Sequence, residues 1–185
     1  MPYRPPYIDP NAVMLDPPHP ATIDPEVLLK QCEFRFGRGG GPGGQNRNKV
    51  ETGAWIVHVP SGLESKATER REQQVNRKKA LSRLRLRLAL KARTPTNRDH
   101  HRPSELWCRR RQGDKLPVNP KHEDYAALLA EALDVIVARR WDLAGSAKIL
   151  GITMSQLSRL VHHHPPAFAM LNEGRESVGL PPLRK

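Results

Sequence analysis

Alternating hydrophobic and polar residues in the first half of the chain predict a small sheet. The segment CEFRF alternates aromatic with polar residues, as a half-buried strand does, and a glycine-rich stretch separates it from GAWIVHV. The turn sequence PSG then lies between GAWIVHV and LESKAT, so these two segments are expected to pair as a hairpin. A short helix should precede the sheet, because Asp24 can cap it and Pro25 suits its first turn.

Two patterns compete in residues 69–93. The run Leu84–Leu88 alternates leucine with arginine, which is the period of a strand. The residue types are strong helix formers, however, and neither glycine nor proline interrupts them. We therefore predict a long basic helix whose second, minor stripe of Leu86 and Leu90 needs another covering element. The main apolar stripe, which should pack on the sheet, consists of Leu81, Leu84, Leu88 and Ala92.

The second half of the chain has a helical texture. The segment DYAALLAEALDVIVARR is strongly periodic, and SAKILGITMSQLSRLV resembles a helix-turn-helix. In that motif a small residue, Ala147, is followed by a turn glycine, Gly151, and then by a buried apolar residue, Leu157. Gln156 and Arg159 would then face outward toward nucleic acid. The alternative, a small helical bundle that only packs on the preceding domain, stays open.

These patterns predict an α+β protein with a small, mainly antiparallel sheet, a long basic helix and a small all-α C-terminal region. We divide the chain into a proline-rich extended arm without a core of its own (1–23), an α+β domain (24–93), a basic connecting segment (94–121) and a helical, helix-turn-helix-like domain (122–185).

The charge balance narrows the class of partner. The formal net charge is +12, with 31 lysines and arginines against 19 acidic residues, which favours a polyanion. The sequence has no apolar run long enough for a bilayer and no signal-peptide pattern, so we expect a cytoplasmic protein that binds nucleic acid rather than a membrane. The two cysteines form no CxxC pair, and adjacent histidines at 162–164 point in different directions on a helix. We predict neither a metal site nor a cofactor.

The stretch RFGRGGGPGGQNRNK, residues 35–49, carries the candidate chemistry. Glycines allow the backbone to approach a ligand closely and expose N–H groups, here between several basic residues. The spacing does not match a phosphate-binding P-loop. A flexible linker is the alternative.

Within this stretch Gly43-Gly44-Gln45 resembles the GGQ motif of class I peptide chain release factors and of the related codon-independent ribosome-rescue hydrolases. The resemblance extends through Asn48-Lys49, the VHVPSG hairpin and ERREQQVNRKKAL, and it covers roughly residues 31–92. It implies that residues 24–93 are a GGQ catalytic domain. The implied reaction is hydrolysis of the ester that joins a nascent peptide to P-site tRNA in the large ribosomal subunit. Gly41, Pro42 and Asn48 would support the catalytic loop.

The resemblance assigns the chemistry to the backbone. The N–H of Gln45, presented by two glycines, could stabilise the oxyanion that forms when water attacks an ester. The carboxamide of Gln45 has no useful pKa, so it could position water but could not act as a base. The residues expected to hold RNA are Arg38, Arg47, Lys49, Arg70, Arg71, Arg77, Lys78 and Lys79. A solvated, charged helix face is the alternative for those in the helix.

The release-factor pattern is incomplete in this sequence. Only 36 proline-rich residues precede Gly37, too few for a codon-reading domain, and we therefore expect codon-independent rescue of stalled ribosomes. We expect the C-terminus to be folded, unlike the basic, unstructured tail of some rescue factors, and Arg47 stands where family members usually have a smaller or neutral residue. Expected partners are the ribosome, through large-subunit rRNA and P-site peptidyl-tRNA, and a methyltransferase acting on Gln45; we expect a monomer. The alternatives are a helix-turn-helix regulator that binds nucleic acid and an inactive ribosome-binding factor.

Overall fold

The computed structural model describes residues 12–38 and 51–184, which divide into two compact units. The sheet unit comprises residues 23–88, and the helical unit comprises the described residues 12–22 together with 89–184. The strands are β1 (Val13–Met14), β2 (Cys32–Gly37), β3 (Gly53–His58), β4 (Leu63–Ala67) and β5 (Ala92–Arg93). The helices are α1 (Pro25–Leu29), α2 (Gln73–Lys91), α3 (Glu105–Arg110), α4 (Tyr125–Ala138), α5 (Leu143–Leu150), α6 (Met154–His162) and α7 (Pro165–Ser177).

The sheet unit contains the predicted antiparallel sheet, in the order β2-β3-β4. Helix α1 begins as expected, because the Asp24 carboxylate accepts a hydrogen bond from the Glu26 N–H at 2.8 Å. In the sheet, Phe34 lies opposite Ile56, which lies opposite Ser65. The Ser65 hydroxyl donates to the Ala80 carbonyl at 2.8 Å, so α2 lies across the face of the sheet that these three residues share.

Helix α2 resolves the competition between strand and helix in the leucine–arginine run. Leu84 and Leu88 are fully buried and Leu81 is half-buried, so the helical stripe describes the core face. Leu86 and Leu90 are also only partly exposed. The prediction for Ala92 was wrong in one respect, because the helix ends at Lys91 and Ala92 lies in β5. Its backbone is drawn out of the helix by pairing with Val13 in β1.

The helical unit includes a segment of the arm before residue 23. Strand β1 pairs in parallel with β5, and the His19 Nε2 lies 3.2 Å from the Ala92 carbonyl oxygen. Ala21 is fully buried. The described part of the predicted arm, residues 12–22, packs with the residues that follow the long helix.

Helix α4 is the centre of the helical unit, and every one of its 14 residues is buried. Its polar side chains therefore have partners: Glu131 accepts hydrogen bonds from the Ser104 N–H at 2.7 Å and the Ser104 hydroxyl at 2.6 Å, and the Tyr125 hydroxyl donates to the Leu160 carbonyl at 2.9 Å. The connecting segment also joins this core, since the Trp107 indole N–H donates to the Leu150 carbonyl at 2.9 Å. Among residues 12–38 and 51–184, no helix combines the length and the hydropathy that a bilayer crossing requires.

Candidate functional site

The glycine-rich segment connects β2 to β3, and the structure describes its two ends. The predicted catalytic, supporting and flanking residues within it lie outside the described residues; they are Gly41, Pro42, Gly43, Gly44, Gln45, Arg47, Asn48 and Lys49. Arg38 is described and exposed at the upstream end. Gly37 and Gly53 form the last pair of the β2-β3 ladder, so the segment connects two adjacent antiparallel strands.

A tryptophan determines which residues fit at the base of this connection. The six-membered ring of the Trp55 indole lies against Gly53, where an added Cβ would stand only 2.7 Å from the ring carbon Cζ3. At Gly37 the same distance would be 3.3 Å. A side chain at position 53 would therefore displace the indole. The sequence alone does not reveal this requirement, because a glycine in a strand carries no signal that a large ring two residues further along the same strand packs over it.

A buried asparagine holds the downstream end of the connection. The Asn76 side chain is fully buried in α2, and its amide N–H donates to the Thr52 carbonyl at 2.8 Å. The same amide donates to the Arg70 carbonyl at 2.8 Å and accepts from the Arg70 N–H at 3.0 Å. The Gln73 amide adds a bond to the Glu51 carbonyl at 3.0 Å. Two consecutive carbonyls of the connection are thus tied to the first turn of the long helix.

The basic residues near the start of α2 are in different environments. Arg70, Arg71 and Lys78 are exposed, whereas Arg77 and Lys79 are partly buried. The Arg77 guanidinium lies 4.6 Å from the centre of the Phe34 ring, so it already makes a cation–π contact within the sheet unit. Phe34 in turn stacks on Phe36 with ring centres 5.9 Å apart. Among residues 12–38 and 51–184, Arg70, Arg71 and Lys78 have no such ring partner, so their charges face outward.

The profile of the RF-1 domain matches residues 21–115, just over half of the chain. The chain belongs to this family. The match includes all of β2, β3, β4 and α2, together with both ends of the glycine-rich connection. The resemblance to class I release factors that was inferred from the GGQ triplet, the hairpin and the basic helix is therefore confirmed.

Curated relatives agree with this assignment. The chain is 44% identical over 63 residues to the chloroplastic peptide chain release factor PrfB1 of Arabidopsis thaliana, a match that covers 34% of this chain and 14% of the relative. It is 41% identical over 71 residues to peptide chain release factor 1 of Dictyoglomus thermophilum, covering 38% and 19%. A longer match, 30% identical over 160 residues, joins it to peptide chain release factor 1 of Streptococcus thermophilus and covers 81% and 44%. The chain thus spans less than half of these relatives.

The RF-1 domain match ends before α4, and the candidate helix-turn-helix lies beyond it. Helix α5 ends at Leu150 and is capped by Gly151, whose φ is +67°, and the Ile152 N–H donates back to the Ala147 carbonyl at 3.0 Å. Thr153 caps α6 by accepting from the Gln156 N–H at 3.2 Å. Ala147 and Leu157 are buried. The two helices and the glycine turn are thus present, while a nucleic-acid role for them stays a prediction.

The outward residues of this motif differ in their surroundings. Arg159 is exposed, but the Gln156 carboxamide oxygen accepts from the Leu116 N–H at 3.4 Å and is only partly exposed. The connecting segment also supports the turn, because the Arg111 guanidinium donates to the Gly151 carbonyl at 3.0 Å. Of the two residues predicted to contact nucleic acid, Arg159 is therefore the more exposed.

Burial shifts the pKa of several titratable groups, among them Cys32, His58 and Asp134. Burial raises the pKa of the Cys32 thiol to about 11 and lowers the pKa of His58, whose ring nitrogens contact the Ser61 hydroxyl at 2.7 Å and the Gln31 amide oxygen at 3.1 Å. Burial raises the pKa of Asp134 to about 6, against the opposing effect of Arg93 at 3.8 Å. Within the described ranges no group of three or more histidine, cysteine or acidic residues is arranged to hold a metal ion.

Proposed function

We propose that this RF-1 domain protein hydrolyses the ester between the nascent peptide and P-site tRNA on the ribosome. The observation that carries the proposal is the triplet Gly43-Gly44-Gln45 in the connection between β2 and β3 of an RF-1 domain. Relatives with this domain are named peptide chain release factors. In this proposal residues 24–93 are the GGQ catalytic domain, residues 94–121 connect it, and residues 122–185 are an appended helical domain.

The proposed chemistry needs no titratable side chain from the protein. Attack of water on the ester builds negative charge on the carbonyl oxygen, and a fixed N–H donor at Gln45 would stabilise that charge. The Gln45 carboxamide would hold the attacking water by hydrogen bonds. Gly41, Pro42 and Asn48 would support the backbone of the loop. The bonds from Asn76 and Gln73 to the Thr52 and Glu51 carbonyls support this proposal, because they restrain one end of the connection that would carry the donor.

Substitutions in the triplet test the reaction. Gly44→Ala should lower the rate of peptide release by about 100-fold or more, the typical loss when an oxyanion donor is removed. Gln45→Ala should also impair release, while both variants still sediment with ribosomes. Gly39→Ala is the matched control, since it adds the same methyl group in the same glycine run outside the triplet. Wild-type release by Gly44→Ala and Gln45→Ala on stalled ribosomes would contradict the proposal.

Codon-independent rescue is the finer part of the proposal. The loop, the hairpin and the basic helix resemble codon-independent rescue hydrolases and class I release factors alike, so a functional assay has to separate the two. The measurement compares peptide release from ribosomes that hold a stop codon, a sense codon or no codon in the A site. We expect release without a stop codon; release on the stop-codon complex alone would show codon reading. The same assay on separated large subunits identifies which complex is the substrate.

The proposed partners follow from the reaction. They are large-subunit rRNA, P-site peptidyl-tRNA and a methyltransferase that modifies Gln45. The protein would act as a monomer. The residues that would contact RNA are Arg38, Arg47, Lys49, Arg70, Arg71, Arg77, Lys78 and Lys79. A mass increase of one methyl group on the peptide that contains Gln45, from protein purified from its source, would support the methyltransferase. An inactive ribosome-binding factor would sediment with ribosomes and release nothing.

A second candidate function rests on the helix-turn-helix of α5 and α6. The glycine turn at φ +67° and the Thr153 cap are the features that favour it. A regulator would shift duplex DNA in a gel and would not sediment with ribosomes. That pair of results would reject the hydrolase and favour the regulator.

A further inference from the structure

The face of the β2-β3-β4 sheet that lies opposite α2 carries a row of three residues. Arg35, Trp55 and Lys66 are direct cross-strand partners in the two ladders, so their side chains leave the sheet on the same side. Residues 34, 56 and 65, next to them along their strands, point to the other side, toward α2. On this face of the sheet, the row is the last one before the glycine pair Gly37 and Gly53.

The Trp55 ring packs close to the backbone of the sheet because neither Gly37 nor Gly53 has a side chain. The ring occupies the space in which side chains at Gly37 and Gly53 would stand. The indole remains partly exposed, whereas Trp107 is 0% and Trp141 is 2% exposed. Trp55 is therefore the one tryptophan of the three that an external molecule can reach in the described structure.

The two cations of the row are free to meet an anion. Arg35 and Lys66 are exposed, and neither side chain has a hydrogen bond or ion-pair partner among residues 12–38 and 51–184. Exposed Arg38 continues the positive charge past the end of β2. The next row away from the glycines carries Glu33 and Glu64 on either side of Val57. The face is thus positive beside the glycine-rich connection and negative at its far end.

We propose that the Arg35-Trp55-Lys66 row is a platform for unpaired nucleotides of single-stranded RNA. A base stacks on the indole, and the flanking phosphates meet Arg35 and Lys66. Aromatic side chains between cations bind single strands in this way, because every base has a face that stacks and every linkage carries a charge. The two glutamates repel phosphate from the far end, so the strand is held at the end of the face next to the glycine-rich connection. This inference deepens the proposed function and rests on its choice of RNA as partner.

The test uses the full chain and a fluorescein-labelled decauridylate, with binding measured by fluorescence anisotropy at low salt. Trp55→Leu should weaken binding by about fivefold or more, the loss expected when an aromatic platform is removed from a stacked base. Trp55→Phe should lose less, because it keeps a smaller stacking ring. Arg35→Gln and Lys66→Gln should each reduce the slope of log affinity against log salt by about 0.7.

Matched controls separate this platform from general charge. Lys121→Gln removes one exposed cation from the helical unit and should leave the affinity for decauridylate almost unchanged. Glu64→Gln removes an acid from the same face and should tighten binding. Inorganic polyphosphate of similar charge should bind the wild type and Trp55→Leu equally, because it offers no base to stack. Intrinsic fluorescence adds a direct readout, since decauridylate should quench the wild type and leave the Trp55→Phe spectrum unchanged.

The outcomes decide the inference separately from the proposed function. The inference would be overturned if the wild type and Trp55→Leu bound decauridylate with equal affinity. It would also be overturned if Trp55→Leu lost as much affinity for polyphosphate as for decauridylate. If Trp55→Leu does not fold, Trp55→Phe and the two glutamine variants decide the result in the same assay. Peptide release is measured in parallel: RNA binding through Trp55 in a protein that releases no peptide would reject the hydrolase and keep the platform.

Discussion

At the scale of single residues, His58 shows how burial fixes the protonation state of a side chain. It is 1% exposed in β3, and both ring nitrogens have partners, the Ser61 hydroxyl and the Gln31 amide oxygen. Burial lowers its pKa, because the charged ring would lose its hydration. His58 therefore joins the hairpin turn to the residue that precedes β2 as a neutral ring.

This histidine predicts a loss of stability in acid. Its pKa is lower in the folded state than the value of about 6.5 in the unfolded chain, so its contribution is full above about pH 6.5 and is lost as the pH falls through the folded pKa. The free energy of unfolding in urea should fall over that interval by at most about 1.4 kcal/mol per pH unit from this group.

The control is the pH dependence of the unfolding free energy in His58→Gln. Glutamine does not titrate, so the curve of unfolding free energy against pH should be flatter below about pH 6.5 than in the wild type, whatever the absolute stability. Parallel curves for the wild type and His58→Gln would show that His58 is not held neutral by the fold.

At the scale of elements, the helical unit packs some helices more closely than their sequences suggest. Gly174 is buried in α7, and a Cβ there would stand 2.1 Å from Cε2 of the Trp141 indole. Trp141 itself has a φ of +63°. Gly174 would ordinarily weaken a helix, and here it is the position at which the Trp141 indole packs against α7.

Gly174→Ala should destabilise the protein, although helix propensity alone predicts a gain of about 1 kcal/mol. Overpacking a filled site costs typically 1–3 kcal/mol, roughly enough to outweigh that gain. Thermal and urea unfolding followed by circular dichroism measure the change. Ala169→Gly, on an exposed position of the same helix, should cost about 1 kcal/mol through propensity. Stabilisation by Gly174→Ala would mean that Trp141 can move aside at little cost.

Elements with local signals could be predicted from the sequence. The three strands of the main sheet, the Asp24 cap and the long basic helix follow from residue type, turn residues and periodicity, and each lies within a few residues of its predicted place. The end of α2 could not be predicted, since Ala92 is a good helix former and is removed from the helix only by Val13, distant in sequence. Strand β1 could not be predicted either, because its two residues have no periodic pattern.

At the scale of the whole molecule, charge is the dominant property. The net charge of +12 is carried partly by exposed residues near the start of α2, Arg70 and Arg71 among them. A polyanionic partner such as the proposed ribosome would be attracted over a distance and held by phosphate contacts. Such contacts position a protein and do not select a sequence.

Ribosome binding should therefore depend steeply on salt. Cosedimentation should fall progressively between about 50 and 200 mM monovalent salt, as counterion release predicts. Arg70→Gln combined with Arg71→Gln should weaken binding and make the salt dependence shallower. The paired control is Lys121→Gln combined with Lys148→Gln, which removes the same charge from exposed positions of the helical unit. Identical salt curves for both double variants would place the contact elsewhere.

The sequence by itself determined the family, the order of the main elements and the GGQ triplet, because motif, turn chemistry and periodicity are local. Tertiary structure decided what surrounds the site. Asn76 meets the Thr52 and Arg70 backbones, Trp55 lies over Gly37 and Gly53, and Arg77 turns to Phe34. These contacts join residues from different strands and helices, and their partners are chosen by the packing of β2, β3 and α2. A single sequence records the residue types and leaves open which of them meet.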